Sequence, residues 1–418
     1  MKYTIDDAPN MWNVQYNVLR RANRLIEAVE NNKITDAEKN QANVNNIYAQ
    51  AKSVRALVHF DLVKVYGMPY SFDNGASMGV PIVTTPIDPL NASAIPGRNT
   101  VAEVYTQIVK DLTEAIDSKA LNVSKSAGDN QGFIDEWAAK ALLTRVYIYM
   151  GKNQEALDIA KNIIENSPYS LWTKAQYANA WDKNNANHIN EMIFELVNSG
   201  SDDWADREGI AYLYHEDGYA DAICTKSFVD MLAQDPSDVR LDVILPVQLK
   251  TDDNGKPTDM YKTYGDNRIF INKFPMGSLG DMRLNNLPIL RLSEVYLNAA
   301  EAAAKLNDKT STAKYLNEII KNRTDDTKQL VTESTATLER VLLERRKELV
   351  GEGQRFFDAM RNNETVTRYT NEDEKGWHYS INKESQVFDR SYFRAILPIP
   401  VSETNANPIL KAQQNPGY

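Results

Sequence analysis

Residues 335–361 read TATLERVLLERRKELVGEGQRFFDAMR, and the reading of this stretch decides the fold. Leu338, Val341, Leu342, Arg345 and Leu349 recur at spacings of three and four, which turns one stripe of a helix toward a core. Arg340 and Glu344 (i, i+4), and Arg345 and Glu348 (i, i+3), are placed to pair along that helix. Gly351 and Gly353 then interrupt it, and Arg355, Phe356, Phe357 and Asp358 follow at once. Two large rings flanked by an Arg and an Asp predict a second helix docking on the first, with Arg355 paired to a carboxylate in or beside the core. On periodicity alone, a charged helix with a solvated outer face explains the same residues.

Working outward, other segments carry the same helical signal. Residues 11–30 predict one helix. Residues 41–67 predict another, with Ala51, Val54, Leu57, Val58, Leu62 and Val65 as its stripe and Gly67 as C-cap. Residues 68–99, rich in Pro, Gly, Asn and Ser, predict an ordered loop. Thr100 with Glu103 is a capping box for a helix to about Asp117. Residues 134–166 predict a helical hairpin: Leu143, Tyr147, Gly151, Ala156 and Pro168 stand at the offsets of the tetratricopeptide pattern. A second pair of that shape is expected at 288–323, where alanines at 299, 300, 302, 303 and 304 permit close packing. Residues 41–67 with 100–117, and 335–350 with 353–362, are candidates for two more pairs.

Between these segments helical periodicity is lost. Residues 169–286 hold Trp172, Trp181, Trp204, Tyr212, Tyr214 and Tyr219 among many Asp and Asn, with MIFELV and RIFINKF as possible strands of a small hairpin. Residues 364–395 resemble them, carrying Trp377, Phe388 and Tyr392, and a tail with four prolines is expected to lie extended over the surface. The whole reads as one domain over 1–418, with a helical scaffold at 11–168 and 287–363. A loop-rich lobe occupies 169–286, and 364–418 add a further irregular segment and the tail.

Composition removes several function classes. A net charge of −10, a pI near 5.2 and no Lys/Arg-rich block argue against a nucleic-acid groove. No apolar run reaches the roughly 18–20 residues of a membrane helix. The single Cys224 rules out an intrachain disulfide and a multi-cysteine zinc site, and fits a small buried hydrophobe. The four histidines show no metal-ligand spacing, and His59 within a helical pattern reads as a satisfied core residue. His215-Glu216-Asp217 reads as a polar loop. Asp252, Asp253 and Asn254 resemble part of a calcium loop, but Lys256 stands where the loop needs glycine. No cofactor motif and no catalytic constellation stands out.

Six segments, in order, resemble signatures of the SusD/RagB family of Bacteroidetes outer-membrane nutrient-binding lipoproteins. They are AKSVRALVHFDLVKVYGMPY (51–70), PGRNTVAEVYTQIVKDLTEAI (96–116), WAAKALLTRVYIYMGKNQEAL (137–157), LPILRLSEVYLNAAEA (287–302), LLERRKELVGEGQRFFDAMR (342–361) and LPIPVSETNANPILKAQQNPGY (397–418). The resemblance implies a mainly α fold, with four tetratricopeptide-like helix pairs as scaffold and an irregular lobe carrying the ligand site. It implies a non-catalytic protein that binds an oligosaccharide or polysaccharide and passes it to a SusC-like TonB-dependent transporter. It also implies an outer-membrane, surface-exposed location held by a lipid anchor. No anchor cysteine or signal precedes the first familiar helix, and Cys224 cannot serve. Either the front was lost from this chain or the protein is a short member.

Sugars present C–H faces that stack on Trp and Tyr, while Asp, Asn and Arg fork hydrogen bonds to paired hydroxyls. Trp204 with Asp202, Asp203 and Asp206, followed by Tyr212 and Tyr214, is the first candidate site. Tyr70, Phe72, Asp73 and Asn74 after a helix end are the second, and Trp377 is the third. Taken singly, each is explained as well by a loop ring capping the core, and Trp12 with Tyr16 reads as packing. Two other functions stay open: a cytoplasmic tetratricopeptide scaffold for peptides, and a glycan-processing enzyme. Affinity for a neutral sugar is expected to depend little on salt.

Overall fold

The computed structural model describes residues 9–86, 95–181, 188–198, 209–214, 218–219, 222–246, 269–274, 283–369 and 381–418. Its helices are α1 (Pro9–Glu30), α2 (Gln41–Tyr66), α3 (Val101–Asp117), α4 (Glu136–Met150), α5 (Asn153–Asn166), α6 (Lys174–Ala180), α7 (Lys226–Leu232), α8 (Leu292–Lys305), α9 (Lys309–Lys321), α10 (Leu338–Glu348) and α11 (Arg355–Arg361), with further short turns. Strands β1 (Met192–Leu196), β2 (Ile244–Pro246), β3 (Ile269–Ile271), β4 (Leu287–Arg291), β5 (Val366–Thr367) and β6 (Val387–Phe388) form three antiparallel pairs, β1–β4, β2–β3 and β5–β6. The fold is mainly helical. α1 packs on α2, α2 on α3, α3 on α4, α4 on α5, α5 on α8 and α8 on α9.

The local chemistry explains where these helices start and stop. Thr100 and Glu103 form the capping box of α3. The Asp135 carboxylate accepts the Ala138 N–H at the start of α4, which Gly151 ends in the left-handed region at φ 72°. α2 ends at its C-cap Gly67, as expected, in extended backbone at φ −118°. A glycine is needed there because a Cβ would lie 2.9 Å from the Val63 carbonyl oxygen. Ala299, Ala300, Ala302 and Ala303 are fully buried, so α5 and α9 approach α8 closely. Trp12 is packed between Tyr16 and Tyr66, with ring centroids 4.8 and 4.9 Å away. His59 is buried, its Nδ1 against the Arg55 carbonyl and its Nε2 accepting the Val83 N–H, so it is held neutral with its pKa pushed down by burial to about 4. Cys224 lies in a small apolar cluster of the lobe.

Four expectations are corrected. Residues 287–291 are strand β4, and the helix begins only at Leu292. MIFEL and IFI are strands, but they pair with β4 and β2 and not with each other. The tail is not extended: helices Val401–Ala406 and Pro408–Ala412 fold it, and Asn407 caps the second by accepting the Ile409 and Leu410 N–H groups. It is pinned by Arg98, whose five N–H donors meet the carbonyls of Gly79, Gln413, Tyr66 and Met78 and the Asn415 side chain at 2.6–2.9 Å. Lastly, α10 packs across α8 and α9, and not as a simple hairpin with α11.

The ion pairs of the opening stretch are rearranged in the same way. Arg340 does pair with Glu344. Arg345 and Glu348 do not pair with each other. The Arg345 Nε reaches Asp358 of α11 at 2.7 Å, and its Nη1 reaches Asn298 of α8. Glu348 takes Arg323 at 2.9 Å and Arg291 at 3.2 Å, both fully buried, with Arg240 at 3.5 Å. Around it Glu191 holds Arg291 and Arg323, Glu344 holds Arg240, and Glu352 holds Arg291 and Lys273. This knot joins the lobe (Glu191, Arg240, Lys273) to the scaffold (Arg323, Glu344, Glu348). Arg355, expected in the core, is 38% exposed and pairs with Glu364. The arginine of α11 that enters the core is Arg361, held by Glu301 and Asp358.

Removing one partner of a buried pair costs about 3–5 kcal/mol, whereas an exposed pair is worth about 1 or less. Glu348→Gln is therefore expected to lose the larger amount in urea unfolding and Arg355→Ala the smaller. Equal losses would refute the assignment.

Stability is expected to fall with acid in two stages. His59 is lowered from 6.5 to about 4, so the unfolded chain takes up a proton there first and stability drops between those values. Buried arginines hold Glu294 and Glu344 at about 2 against an ordinary 4.5, giving a second loss between those values. Thermal melts across this range read both stages, and His59→Gln should flatten the upper one alone.

Candidate functional site

Seven residues make α11 too short to show a clear stripe, and it presents an unexpected face. Asp358, Ala359, Met360 and Arg361 are buried, while Phe356 is 36% exposed and Phe357 half-buried. The charged residues go inward because Glu301 and Arg345 wait there, and the rings are left outside. Strand pairing of Val366 with Phe388 brings Phe388 over α11. The turn Phe393–Ala395 then sets Tyr392, Phe393 and Arg394 on successive sides of a tight helix. The result is a run of ring contacts: Phe357–Phe356 at 5.6 Å between centroids, Phe356–Phe388 at 6.5, Phe388–Tyr392 at 5.6, Tyr392–Phe393 at 5.2 and Phe393–Tyr418 at 5.4 Å.

All of these rings except Phe393 line a cleft of about 490 Å³, together with Val65, Arg368, Ser385, Arg394 and Leu397. That volume falls in the range of ligand pockets, roughly 300–1,000 Å³. The Ser385 and Tyr392 hydroxyls lie 3.2 Å apart. Burial raises the pKa of the Tyr418 hydroxyl, which donates to the Ile396 carbonyl. The segment Tyr70–Asp73 is bolted beside the cleft: the Ser71 hydroxyl donates to the Arg361 carbonyl and accepts from Arg390, whose guanidinium lies 5.6 Å from the Phe72 ring centroid. Neutral rings flanked by hydroxyl and guanidinium donors suit a ligand with apolar faces and polar edges. Among the described residues no group of three or more His, Cys, Asp or Glu is placed to hold a metal ion. Nor, among them, is any helix long and apolar enough to cross a membrane.

Comparison with known proteins places this architecture. The SusD family profile matches residues 247–418, and a second, described as starch-binding associating with outer membrane, matches residues 1–148. A SusD superfamily protein from Bacteroides thetaiotaomicron is 38% identical, with a TM-score of 0.84 over 97% of this chain and 85% of that one. The chain belongs to the SusD family. A SusD superfamily protein from Bacteroides vulgatus is 32% identical, with a TM-score of 0.84 over 100% of this chain and 87% of its own. The surface glycan-binding protein A from Bacteroides uniformis shares the fold at 21% identity and a TM-score of 0.70, over 98% of this chain and 85% of that one. The family is one of carbohydrate-binding proteins associated with the outer membrane.

In this SusD-family protein the residues singled out from sequence fall in two places. Tyr70 and Asp73 lie at the cleft side. There the Tyr70 ring packs edge-on against Tyr105 at 5.3 Å, Asp73 accepts from the Ser77 hydroxyl, and Phe72 is the freer ring at 42% exposure. Tyr212 and Tyr214 lie in the lobe. Tyr212 meets Tyr219 at 5.9 Å, and Tyr219 is 52% exposed. Tyr214 is stacked on Phe274 at 5.4 Å and 16° within the apolar cluster of Ala211, Cys224 and Phe228, so it serves packing there. Asp202, Trp204 and Trp377, and Asp203 and Asp206 with them, lie outside the described residues. Sequence reasoning missed Arg368, Phe393, Arg394 and Tyr418. The signal for two of them, Phe393 and Arg394, was the dense YFR run at 392–394, which stands where the extended tail was expected to begin.

Tyr214→Ala is accordingly expected to cost about 2–4 kcal/mol in stability, as large-to-small changes of packed aromatics do. Phe356→Ala should leave the melting temperature nearly unchanged. A melt of each variant checks both, and the reverse order would exchange their roles.

Proposed function

We propose that this protein binds oligosaccharides at the outer cell surface without transforming them and passes them to a SusC-like TonB-dependent transporter, itself held there by a lipid anchor. The observation that carries the reading is the run of partly exposed rings along the α11 cleft, in a family described as starch-binding. The rings that reach the cleft surface, Phe356 and Tyr392 among them, offer a sugar an apolar platform over the buried Phe388, and Ser385, Tyr392 and Arg368 offer hydroxyl partners. Family membership supports the carbohydrate ligand and the outer-membrane association; the transporter and the anchor come from the family resemblance. The surface glycan-binding protein of Bacteroides uniformis, which has the same fold, supports the ligand class. Trp204 with Asp202, Tyr212 and Tyr219 in the lobe, and Trp377 between β5 and β6 in the chain, are proposed as further platforms. Tyr70 and Asp73 are proposed at the cleft rim.

Calorimetry with a panel of neutral oligosaccharides tests this. Phe356→Ala should weaken binding by about 1–3 kcal/mol, the size of a lost aromatic platform with its buried area, at an unchanged melting temperature. If Trp204→Ala weakens binding and Phe356→Ala does not, the site lies in the lobe. If peptides bind and no glycan does, the protein is an interaction scaffold. Release of reducing ends from any panel member would make it an enzyme.

A further inference from the structure

Binding a neutral sugar requires no cation, yet Arg368 and Arg394 both line the α11 cleft. Arg368 stands 5.0 Å from the Phe388 ring centroid and Arg394 5.1 Å from that of Phe393. Among the described residues neither guanidinium has a carboxylate partner. The buried arginines of the ionic core are arranged differently: Arg145, Arg291, Arg323, Arg345 and Arg361 each close on Asp or Glu.

Of the acids near these arginines in the chain, Glu372, Asp373 and Glu374 lie outside the described residues, and the described ones are spoken for or stand away. Glu364 holds Arg355, and Asp389 accepts from the Ser391 N–H and hydroxyl. Glu384 is exposed and, among the described residues, pairs with neither arginine. Positive charge is crowded around α11. Burial, and then the charge of Arg355, push Arg346 below its ordinary pKa. Arg390 meets Ser71 and Phe72, and its charge also acts on Asp389. Among the described residues, then, the cleft sets two guanidinium groups beside its rings.

We propose that this cleft selects acidic sugars: a uronate ring stacks on Tyr392 while Arg368 forks its carboxylate, and Arg394 meets a second carboxylate further along. The inference rests on the glycan-binding reading above and narrows it to uronate-bearing oligosaccharides. Guanidinium is the side chain that matches a carboxylate with two parallel hydrogen bonds. A cleft of about 490 Å³ walled by rings fits a sugar, where a bare anion would leave the aromatic faces unused.

The test is calorimetry of the whole chain with a short oligogalacturonate, its fully methyl-esterified form, a neutral galactan oligosaccharide and a sulfated one. The free acid is expected to bind about tenfold to a hundredfold more tightly than the ester, the size of a charge-assisted hydrogen bond. Only the acid should weaken as salt is raised. Arg368→Gln should abolish most of the preference. Arg394→Gln, at an exposed position, should reduce it about threefold. If acid and ester bind equally, or Arg368→Gln keeps the preference, the inference is overturned while the glycan reading stands. Tighter binding of the sulfated sugar would overturn the carboxylate assignment. If no sugar binds at all, the glycan reading itself falls. Should Arg368→Gln fail to fold, the acid–ester and salt comparisons on the unaltered protein decide alone.

Discussion

Everything in this molecule is arranged around one buried carboxylate. Glu348 ends α10 in a place without water, and its two oxygens are shared by Arg323 from the end of α9, Arg291 from β4 and Arg240 from the lobe. An ion in such a place is tolerated only if its remaining lone pairs and protons are met, and breaking the set is costlier than never having built it. The knot therefore fixes relative position: β4, the scaffold helices and the Asp238–Arg240 turn have one mutual arrangement in which all the charges close. Gly351 follows directly, at φ 79°, and a Cβ there would lie 2.9 Å from Ile271 of β3, so the chain leaving α10 is pressed against the lobe as well.

The second set of charges explains how a surface can be aromatic. Hydrophobic rings inside and ions outside is the ordinary division, and α11 reverses it. Arg361 and Asp358 are drawn inward by Glu301 and Arg345, where close pairing offsets their desolvation. Phe356 is left on the outside as a consequence. The ring run of the cleft is thus held in place by ionic contacts on the opposite face of the same helix.

The helical part of the fold was legible because its signals are local. Caps such as Thr100 with Glu103 and the alanines at 299, 300, 302 and 303 of α8 lie within a few residues and formed as read. By contrast, α2 buries Ala51, Val58 and Leu62 of its expected stripe but leaves Val54, Leu57 and Val65 only partly covered. Pairing of charges was not legible. Arg345 and Glu348 are neighbours on one helix, yet both are buried, and partners from Asp358, Asn298, Arg323 and Arg291 claim them first. Arg355 and Arg361 are alike in sequence, and seven residues give too little periodicity to tell which one turns inward. LPILR looks like the start of the helix it precedes. Only its pairing with MIFEL, about a hundred residues earlier, makes it a strand. Of the candidate ligand residues, Tyr214 shows the limit: a tyrosine in a polar loop and a tyrosine on a phenylalanine are the same in the sequence.

Arg98 carries a consequence of a different kind. Its guanidinium is buried with no carboxylate partner among the described residues, its pKa lowered by burial to about 10, and two of its five donors are met by Gln413 and Asn415. Those partners lie more than 300 positions away along the polypeptide. Contacts of such long separation close late, because the entropy of looping must be spent before they return anything. During synthesis, then, the helices around Arg98 wait with a cation unmet until the segment carrying Gln413 and Asn415 has been made and has docked. That segment seals a core laid down some three hundred residues before it.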